Sequence, residues 1–294
     1  MLKYKVLNNN YATIKEVLCS YFQISNRLLT KLKKEERIFL NGKKSYVTTN
    51  ISINDTIEVN INFEEKSENI IPIKLNLQII YEDDYLLIIN KPAYIPVHPS
   101  VLHYEDSLSN GIAYYFQEKN IKRKIRPVNR LDKNTSGIVV FAKNEYIQEC
   151  LIRQMKQNIF IKKYISILEG HLEKNSGTIN APITRKENSI IERVVSPEGD
   201  MSITHFKLLK HFEIEKQKFS LVEFKLETGR THQIRVHSKY IGHPILGDSL
   251  YGNESKFIDR QALHAYTISF IHPITKETLN FENELPKDMQ NLIM

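Results

Sequence analysis

The stretch Asn129-Arg130-Leu131-Asp132-Lys133-Asn134-Thr135-Ser136-Gly137 constrains this chain more than any other. A polar turn there runs straight into the apolar segment Ile138-Val139-Val140-Phe141-Ala142, which reads as a strand. Arg130 and Asp132 stand two residues apart, and on extended backbone such residues project to the same side. Both can therefore face one cleft. Asp, Asn, Ser and Gly are also ordinary turn residues, so this segment alone fits a plain polar hairpin as well.

A second segment, almost a hundred residues on, decides against the plain hairpin. It runs Leu226-Glu227-Thr228-Gly229-Arg230-Thr231-His232-Gln233-Ile234-Arg235-Val236-His237. Gly242-His243-Pro244-Ile245-Leu246-Gly247-Asp248 and Tyr251-Gly252 follow it. Helical spacing from Thr231 places His232 and Arg235 on one face. Gly242 is the expected stop of that helix.

At 294 residues the chain exceeds what one core comfortably serves, so two unequal domains are expected. Cys19 and Cys150 are too few for a disulfide scaffold and suit a reducing compartment. No signal peptide is visible, and the longest apolar run, Tyr85 to Ile89, cannot span a bilayer. A cytoplasmic protein without membrane association is expected. The histidines His232, His237, His243, His264 and His272 lack the helical spacing of a zinc site, so no metal is expected.

The net charge of +7 is unevenly placed: residues 1–60 hold ten Lys or Arg against five Asp or Glu, and so supply +5 of it. Such a surplus in a small terminal module points to a polyanion partner, nucleic acid first; a solvated basic face is the plain alternative. Ile14, Val17, Leu18 and Tyr21 predict a helix over 12–22, and Ser25 caps a second over about 26–36. On the second, Arg27, Lys31 and Lys34 fall on one face, away from Leu28, Leu29 and Leu32. Strands at 37–40 and 44–48 flank the Asn41-Gly42 turn, and a strand pair is expected within 51–61.

Residues 62–74 are polar and end near Pro72, which makes them a linker between two separate cores, 1–61 and 75–294. Beyond it strand signals dominate, at 79–81, 85–89, 137–142, 160–168, 204–209 and 219–227. Helices are expected near 107–117, 145–155 and 231–241. This order, without regular βαβ alternation, predicts an α+β domain with a mainly antiparallel sheet.

The ordered pair of segments around Asp132 and Arg235 closely resembles the signature of the RluA-type RNA pseudouridine synthases. The resemblance covers about 75–294 and implies their fold: a mixed, mainly antiparallel central sheet crossed by a long catalytic cleft. Ile24–Lys43, with Ser25, Arg27, Lys31 and the Asn41-Gly42 turn, resembles the alpha-L RNA-binding motif often fused to these enzymes. Its opening helix departs from the usual start, having Thr13-Ile14-Lys15.

What the resemblance implies is isomerisation of uridine to pseudouridine in structured RNA, without a cofactor, by a monomer. The reaction breaks the bond from base nitrogen to ribose and rejoins the sugar to carbon five. It needs a carboxylate, a charge partner for it, and a holder for the freed uracil. By resemblance Asp132 is the catalytic carboxylate and Arg235 its ion-pair partner. Tyr164, in Lys162-Lys163-Tyr164, packs on the base, and its hydroxyl helps remove the carbon-five proton. No second acidic residue in these segments competes with Asp132. Arg130 fills the gap left by the flipped base, while Arg230, Lys162 and Lys163 hold phosphates. Family members usually carry His where Asn129 stands. The family's C-terminal segment is matched by Arg260 to Ala265 and by His272-Pro273, with a role under the site; His98-Pro99-Ser100 matches a loop beside the cleft. Large-subunit ribosomal RNA is the favoured substrate and transfer RNA its rival. A non-catalytic RNA-binding ribosome-assembly factor is the rival class.

Overall fold

The computed structural model describes residues 1–65, 69–101 and 103–293. The N-terminal part is a four-stranded sheet covered by two helical segments. Its strands are β1 (Leu2–Lys5), β2 (Ile38–Leu40), β3 (Lys43–Lys44) and β4 (Thr56–Val59), in the order β1-β4-β2-β3. The first helix, α1 (Ile14–Glu16), passes into a π-helical turn over Val17–Tyr21. The second, α2 (Asn26–Lys34), starts at Ser25, whose hydroxyl accepts the Leu28 N–H at 3.3 Å. The strand expected at 44–48 shrinks to two residues. The pair expected within 51–61 is one strand, because Asp55 caps the Ser52 N–H at 2.7 Å and turns the chain instead.

A ten-stranded sheet carries the rest. Its strands begin with β5 (Gln78–Glu82), β6 (Leu86–Lys91), β7 (Arg126–Pro127) and β8 (Ser136–Ala142). They continue with β9 (Ile161–Glu169), β10 (Ser176–Asn180), β13 (Ile203–Ile214), β14 (Gln217–Leu226), β15 (Leu263–Ile271) and β16 (Thr278–Glu282). The order is β10-β13-β14-β9-β15-β8-β6-β5, with β16 beside β15 and β7 beside β8. Every pairing is antiparallel except β8 with β15. The sheet is thus mixed and mainly antiparallel, an α+β fold as the strand pattern predicts. A separate hairpin, β11 (Ile183–Arg185) and β12 (Arg193–Val195), stands outside it. The remaining helices are α3 (Leu108–Glu118), α4 (Glu145–Lys156), α5 (Gln233–Tyr240) and α6 (Lys287–Ile293). Among the described residues no helix is long and apolar enough to cross a membrane.

The parallel contact explains Gly137. A Cβ there would lie 2.2 Å from the Ala265 carbonyl oxygen, and its φ is +118°. Only glycine lets β8 and β15 approach at that register, where Ser136 pairs with His264 and Gly137 with Ala265.

All seven residues of β8 are buried, and alternation sends its side chains to two cores. Val139 and Phe141, with Leu87 and Ile89 of β6, join Leu108, Ile112 and Phe116 of α3 on one face. Ile138 and Val140, with Leu86 and Ile88, join Tyr146, Ile147 and Leu151 of α4 on the other. The second core does not stop there. It runs on through Val17, Leu18, Leu28, Leu32, Ile57 and Phe63 of the N-terminal part.

The expectation of two separate cores is therefore corrected: apolar contact is continuous across the seam. Residues 62–65 are not a loose tether. Phe63 is buried beneath Lys31 and Arg37, and Glu65 pairs with Lys31 at 2.9 Å and Arg126 at 2.7 Å. Residues 66–68 of the expected linker lie outside the described residues. Deleting 1–61 strips this cover from the sheet. A large apolar side chain contributes about 1.5–3 kcal/mol when fully buried, and a loss of 1 kcal/mol lowers the midpoint of a domain this size by roughly 2–4 °C. Uncovering even two or three such chains should lower the thermal midpoint by roughly 10 °C or more. A deleted protein that melts with the full chain would restore the picture of independent cores.

Candidate active site

The segment before β8 carries Asp132 on a turn held from several sides. The buried Asn129 amide donates to the Ile138 carbonyl at 3.1 Å and accepts the Val140 N–H at 2.9 Å. It thereby anchors Arg130-Leu131-Asp132 to the edge of β8, and its role is to hold backbone. From below, Lys91, fully buried, donates to the carbonyls of Pro92, Ile95 and Lys133 at 2.9, 2.7 and 3.0 Å. Burial pulls its pKa down to about 7, while the charge of Asp132 pulls the other way. Arg260 donates to the Asn134 carbonyl at 3.2 Å and is gripped through Nε and Nη2 by Asp288 of α6. Gln261 donates to the Thr135 hydroxyl at 3.2 Å, and Ser136 bonds His264 at 2.9 Å. The segment Arg260 to Ala265 thus lies under the site. Asp132 itself keeps 28 % of its side-chain surface open, enough for a substrate to reach it.

Helix α5 brings the charge partner. Arg235 is 7 % exposed and splits its guanidinium between two acids. Nε and Nη2 bind both oxygens of Asp248, at 2.7 and 2.8 Å, and Nη1 reaches Asp132 at 3.1 Å. Burial works against its charge, but the two carboxylates outweigh burial and hold its proton more tightly than usual. Asp248, 1 % exposed, stands in the segment singled out from sequence, yet its role there was missed. It is the strap that aims Arg235, with its own oxygens also taking the Leu250 and Tyr251 N–H groups.

Thr231 does not open α5. The first helical residue is Gln233, and His232 caps the helix in the left-handed region at φ +58°, a strained conformation of the kind that collects at functional sites. The twist turns the imidazole inward. Its Nδ1 bonds the Tyr251 hydroxyl at 2.9 Å and its Nε2 lies 3.8 Å from Asp132. Burial lowers the histidine's pKa, so it faces Asp132 as a neutral ring. The Tyr251 ring lies under the Arg235 guanidinium, 5.0 Å from its centroid.

Tyr164 of β9 is buried and lines the same recess as Arg130, Asp132 and Arg235. Its pKa is pushed up, first by burial and then by the charge of Asp132, so the phenol keeps its proton at neutral pH. Strand parity sends Lys162 to this side and Lys163 to the other. Lys162 lines the main cleft, and burial lowers its pKa. Lys163 pairs with Glu223 at 3.1 Å instead, so its placement with the phosphate-holding residues is corrected. If the Tyr164 hydroxyl relays a proton while its ring holds the base, Tyr164→Phe should leave RNA affinity nearly unchanged and cut turnover by roughly 10²–10⁴-fold. Unchanged turnover would reduce Tyr164 to its ring.

The cleft above Asp132 measures about 1020 Å³ and is walled by His98, Ser100, Arg130, Lys156, Lys162 and Arg230, among others. Arg130 is exposed at its mouth and has no carboxylate partner among the described residues. Arg230 is exposed too and pairs with Asp200 at 3.4 Å. The expected basic face of α2 is not brought to this cleft. Lys31 turns into the seam and is half-buried against Glu65 and Phe63, which corrects its reading as a free phosphate contact. Arg27 meets Glu145 of α4 at 3.2 Å, and Lys34 stays exposed. Among the described residues no group of three or more His, Cys, Asp or Glu could hold a metal ion.

Comparison with known proteins identifies what this chain is similar to. The profile of the family described as RNA pseudouridylate synthase matches residues 85–240. The chain is 39% identical over 271 residues to the uncharacterized RNA pseudouridine synthase YjbO of Bacillus subtilis, covering 92% of this chain and 94% of that protein. It is 32% identical over 280 residues to the ribosomal large subunit pseudouridine synthase D of Escherichia coli, covering 88% of this chain and 82% of that protein. Among solved structures, the human RNA pseudouridylate synthase domain containing 1 superposes with a TM-score of 0.60 at 26% identity, over 71% of this chain and 83% of that one. This chain belongs to the RNA pseudouridylate synthase family, in its RluA-type branch.

Proposed function

We propose that this chain converts uridine to pseudouridine in large-subunit ribosomal RNA, with Asp132 as nucleophile, Arg235 as its charge partner and Tyr164 at the base. One observation carries this reading: Arg235 is strapped by Asp248 so that a single Nη1 is left to meet an accessible Asp132, at 3.1 Å. A purely structural ion pair has no need to leave its carboxylate open.

The bond from base nitrogen one to the sugar breaks, and carbon five of the same uracil bonds the sugar in its place. Carbon five loses a proton and nitrogen one gains one, so the atoms balance without an external reagent. Asp132 supplies the charge and covalent link that a cation-like sugar carbon calls for. Tyr164 enters as a neutral phenol, so its oxygen takes the carbon-five proton only as it hands its own proton on, with nitrogen one as the net acceptor. Pulling the uridine from its stack costs a few kcal/mol, roughly, and the exposed planar cation of Arg130 stacks into the gap. Arg230 and Lys162 hold the flanking phosphates.

The small domain, 1–61, adds a second RNA contact through Arg27 and Lys34; its +5 charge at 1–60 supports this. We place the division between the two parts at 62–74, with Phe63 and Glu65 packed into the seam. The ribosomal assignment is supported by the name of the Escherichia coli relative. Both cysteines are free, which fits the reducing cytoplasm. Mapping pseudouridine in all stable RNAs from cells with and without the gene tests the function. Loss at large-subunit sites is expected. Loss confined to transfer RNA would redirect the substrate, and no loss anywhere would end the proposal.

A further inference from the structure

A second cavity of about 500 Å³ opens beside the catalytic cleft, and four arginines line it: Arg130, Arg185, Arg193 and Arg230. Two carboxylates, Glu198 and Asp200, share the wall, so cations outnumber anions two to one. Only Arg230 of the four has a carboxylate partner among the described residues. Arg130 and the Gly229–Thr231 segment line this cavity and the catalytic cleft alike, and Arg130 and Arg230 also line the Asp132 recess. Arg130 therefore stands where three cavities meet.

The hairpin that supplies Arg185 and Arg193 carries an electrostatic fault. The two residues are direct cross-strand partners in β11 and β12. Like charges directly opposite each other destabilise a strand pair. Arg193 is also held in place: its Nη1 donates to the carbonyls of Ile191 and Glu192 at 3.1 and 3.0 Å. Two arginines on directly opposed positions of one cavity wall, one of them preset, are suited to an anion, and phosphate oxygens match the guanidinium fork.

The hairpin is tied to the chemistry as well. The Arg193 N–H donates to the Tyr251 hydroxyl at 2.8 Å, which in turn bonds His232 at 2.9 Å beside Asp132. Ile183, Val236 and Tyr251 share a small core, with Val195 packed against it, so the hairpin cannot drift from α5.

We infer that the β11–β12 hairpin with Arg230 is a phosphate subsite for the RNA strand on one side of the target uridine. The backbone leaves the main cleft, passes Arg130 at the flipped nucleotide, and enters the arginine cavity. The enzyme grips its substrate on both sides of the reacting base. This rests on the RNA-isomerising reading above.

The test uses the full-length protein and total ribosomal RNA from cells lacking the gene, labelled with tritium at uridine carbon five. Arg185→Ala should raise KM by roughly tenfold, the size of one charge-assisted contact. It should flatten the slope of log affinity against log salt by about 0.7–0.9, one phosphate's worth. Turnover on saturating RNA should stay within about twofold. Lys174→Ala, an equal charge loss at an exposed residue that lines none of the three cavities, should change neither. Without RNA, the Arg185→Ala protein should melt no lower than wild type, because the like-charge pair is gone. KM and salt slope equal to those of Lys174→Ala would overturn the subsite, and so would a lowered midpoint, which would make Arg185 a structural residue. Wild type that releases no tritium from any RNA fails the functional reading itself, an outcome distinct from these.

Discussion

Asp132→Asn should abolish tritium release from carbon-five-labelled RNA while leaving RNA binding almost intact. The amide has the size and hydrogen-bonding reach of the acid but not its nucleophilic charge. Removing a covalent catalyst of this kind costs on the order of 10⁴-fold or more in turnover. Binding survives because the groups proposed to hold the RNA, Arg130, Arg230 and Lys162, are separate side chains around the cleft. The fold survives too: the turn is held by Asn129, Lys91, Arg260 and Gln261, none of which bonds the Asp132 side chain. Substantial turnover by the Asn variant would remove Asp132 from the chemistry.

Arg235→Lys should be nearly as damaging, although it preserves the charge. The guanidinium serves Asp248 with two donors and Asp132 with a third, in one plane. An ammonium is a point charge on a flexible stem and cannot span both acids at those distances. It will settle on the fully buried Asp248 and leave Asp132 unaimed. Misplacement by about an ångström is worth roughly 10²-fold in rate, so turnover should fall by at least that factor, with a much smaller change in RNA affinity. Single-turnover rates on saturating RNA make the distinction: normal chemistry with weakened binding would mark Arg235 as a phosphate ligand. Asp248→Ala is the companion variant. It leaves a buried cation half-partnered, which costs about 3–5 kcal/mol of stability.

Why could Asp132, Arg130 and Arg235 be read from sequence and Asp248 not? The first three lie in two segments whose order resembles the family signature, and local spacing added only that Arg130 and Asp132 share one side and that Arg235 shares a helix face with His232. Asp248 acts through a loop thirteen residues beyond Arg235, and nothing in local periodicity says that the loop folds back onto α5. Lys163 shows the opposite failure. The resemblance of Lys162-Lys163-Tyr164 to the family's basic strand grouped it with Lys162, whereas strand alternation points it at Glu223. The helix face holding Arg27, Lys31 and Lys34 was visible as a pattern, but periodicity alone cannot tell solvent from a seam, and Lys31 lies in the seam. The strands β5, β6, β8, β9, β13 and β14 fell near their expected places because each carries its own apolar run. Strands β7 and β10, hairpin β11–β12 and strands β15 and β16 went unread. The hairpin strands are only three residues each, and the parallel contact of β15 with β8 joins residues over a hundred positions apart.

The groups that hold or face Asp132 are drawn from Lys91, Arg235, Asp248, Arg260 and Asp288, so the site is spread along most of the chain. During synthesis at about 5–20 residues per second, residue 288 emerges roughly 8–30 s after residue 132. Arg235 and Asp248 follow Asp132 by roughly 5–23 s, so Asp132 first lacks its charge partner and strap, and to the end of the interval Arg260 lacks the Asp288 grip beneath the turn. The geometry around Asp132 is therefore complete only once the segment that carries Asp288 has joined the fold.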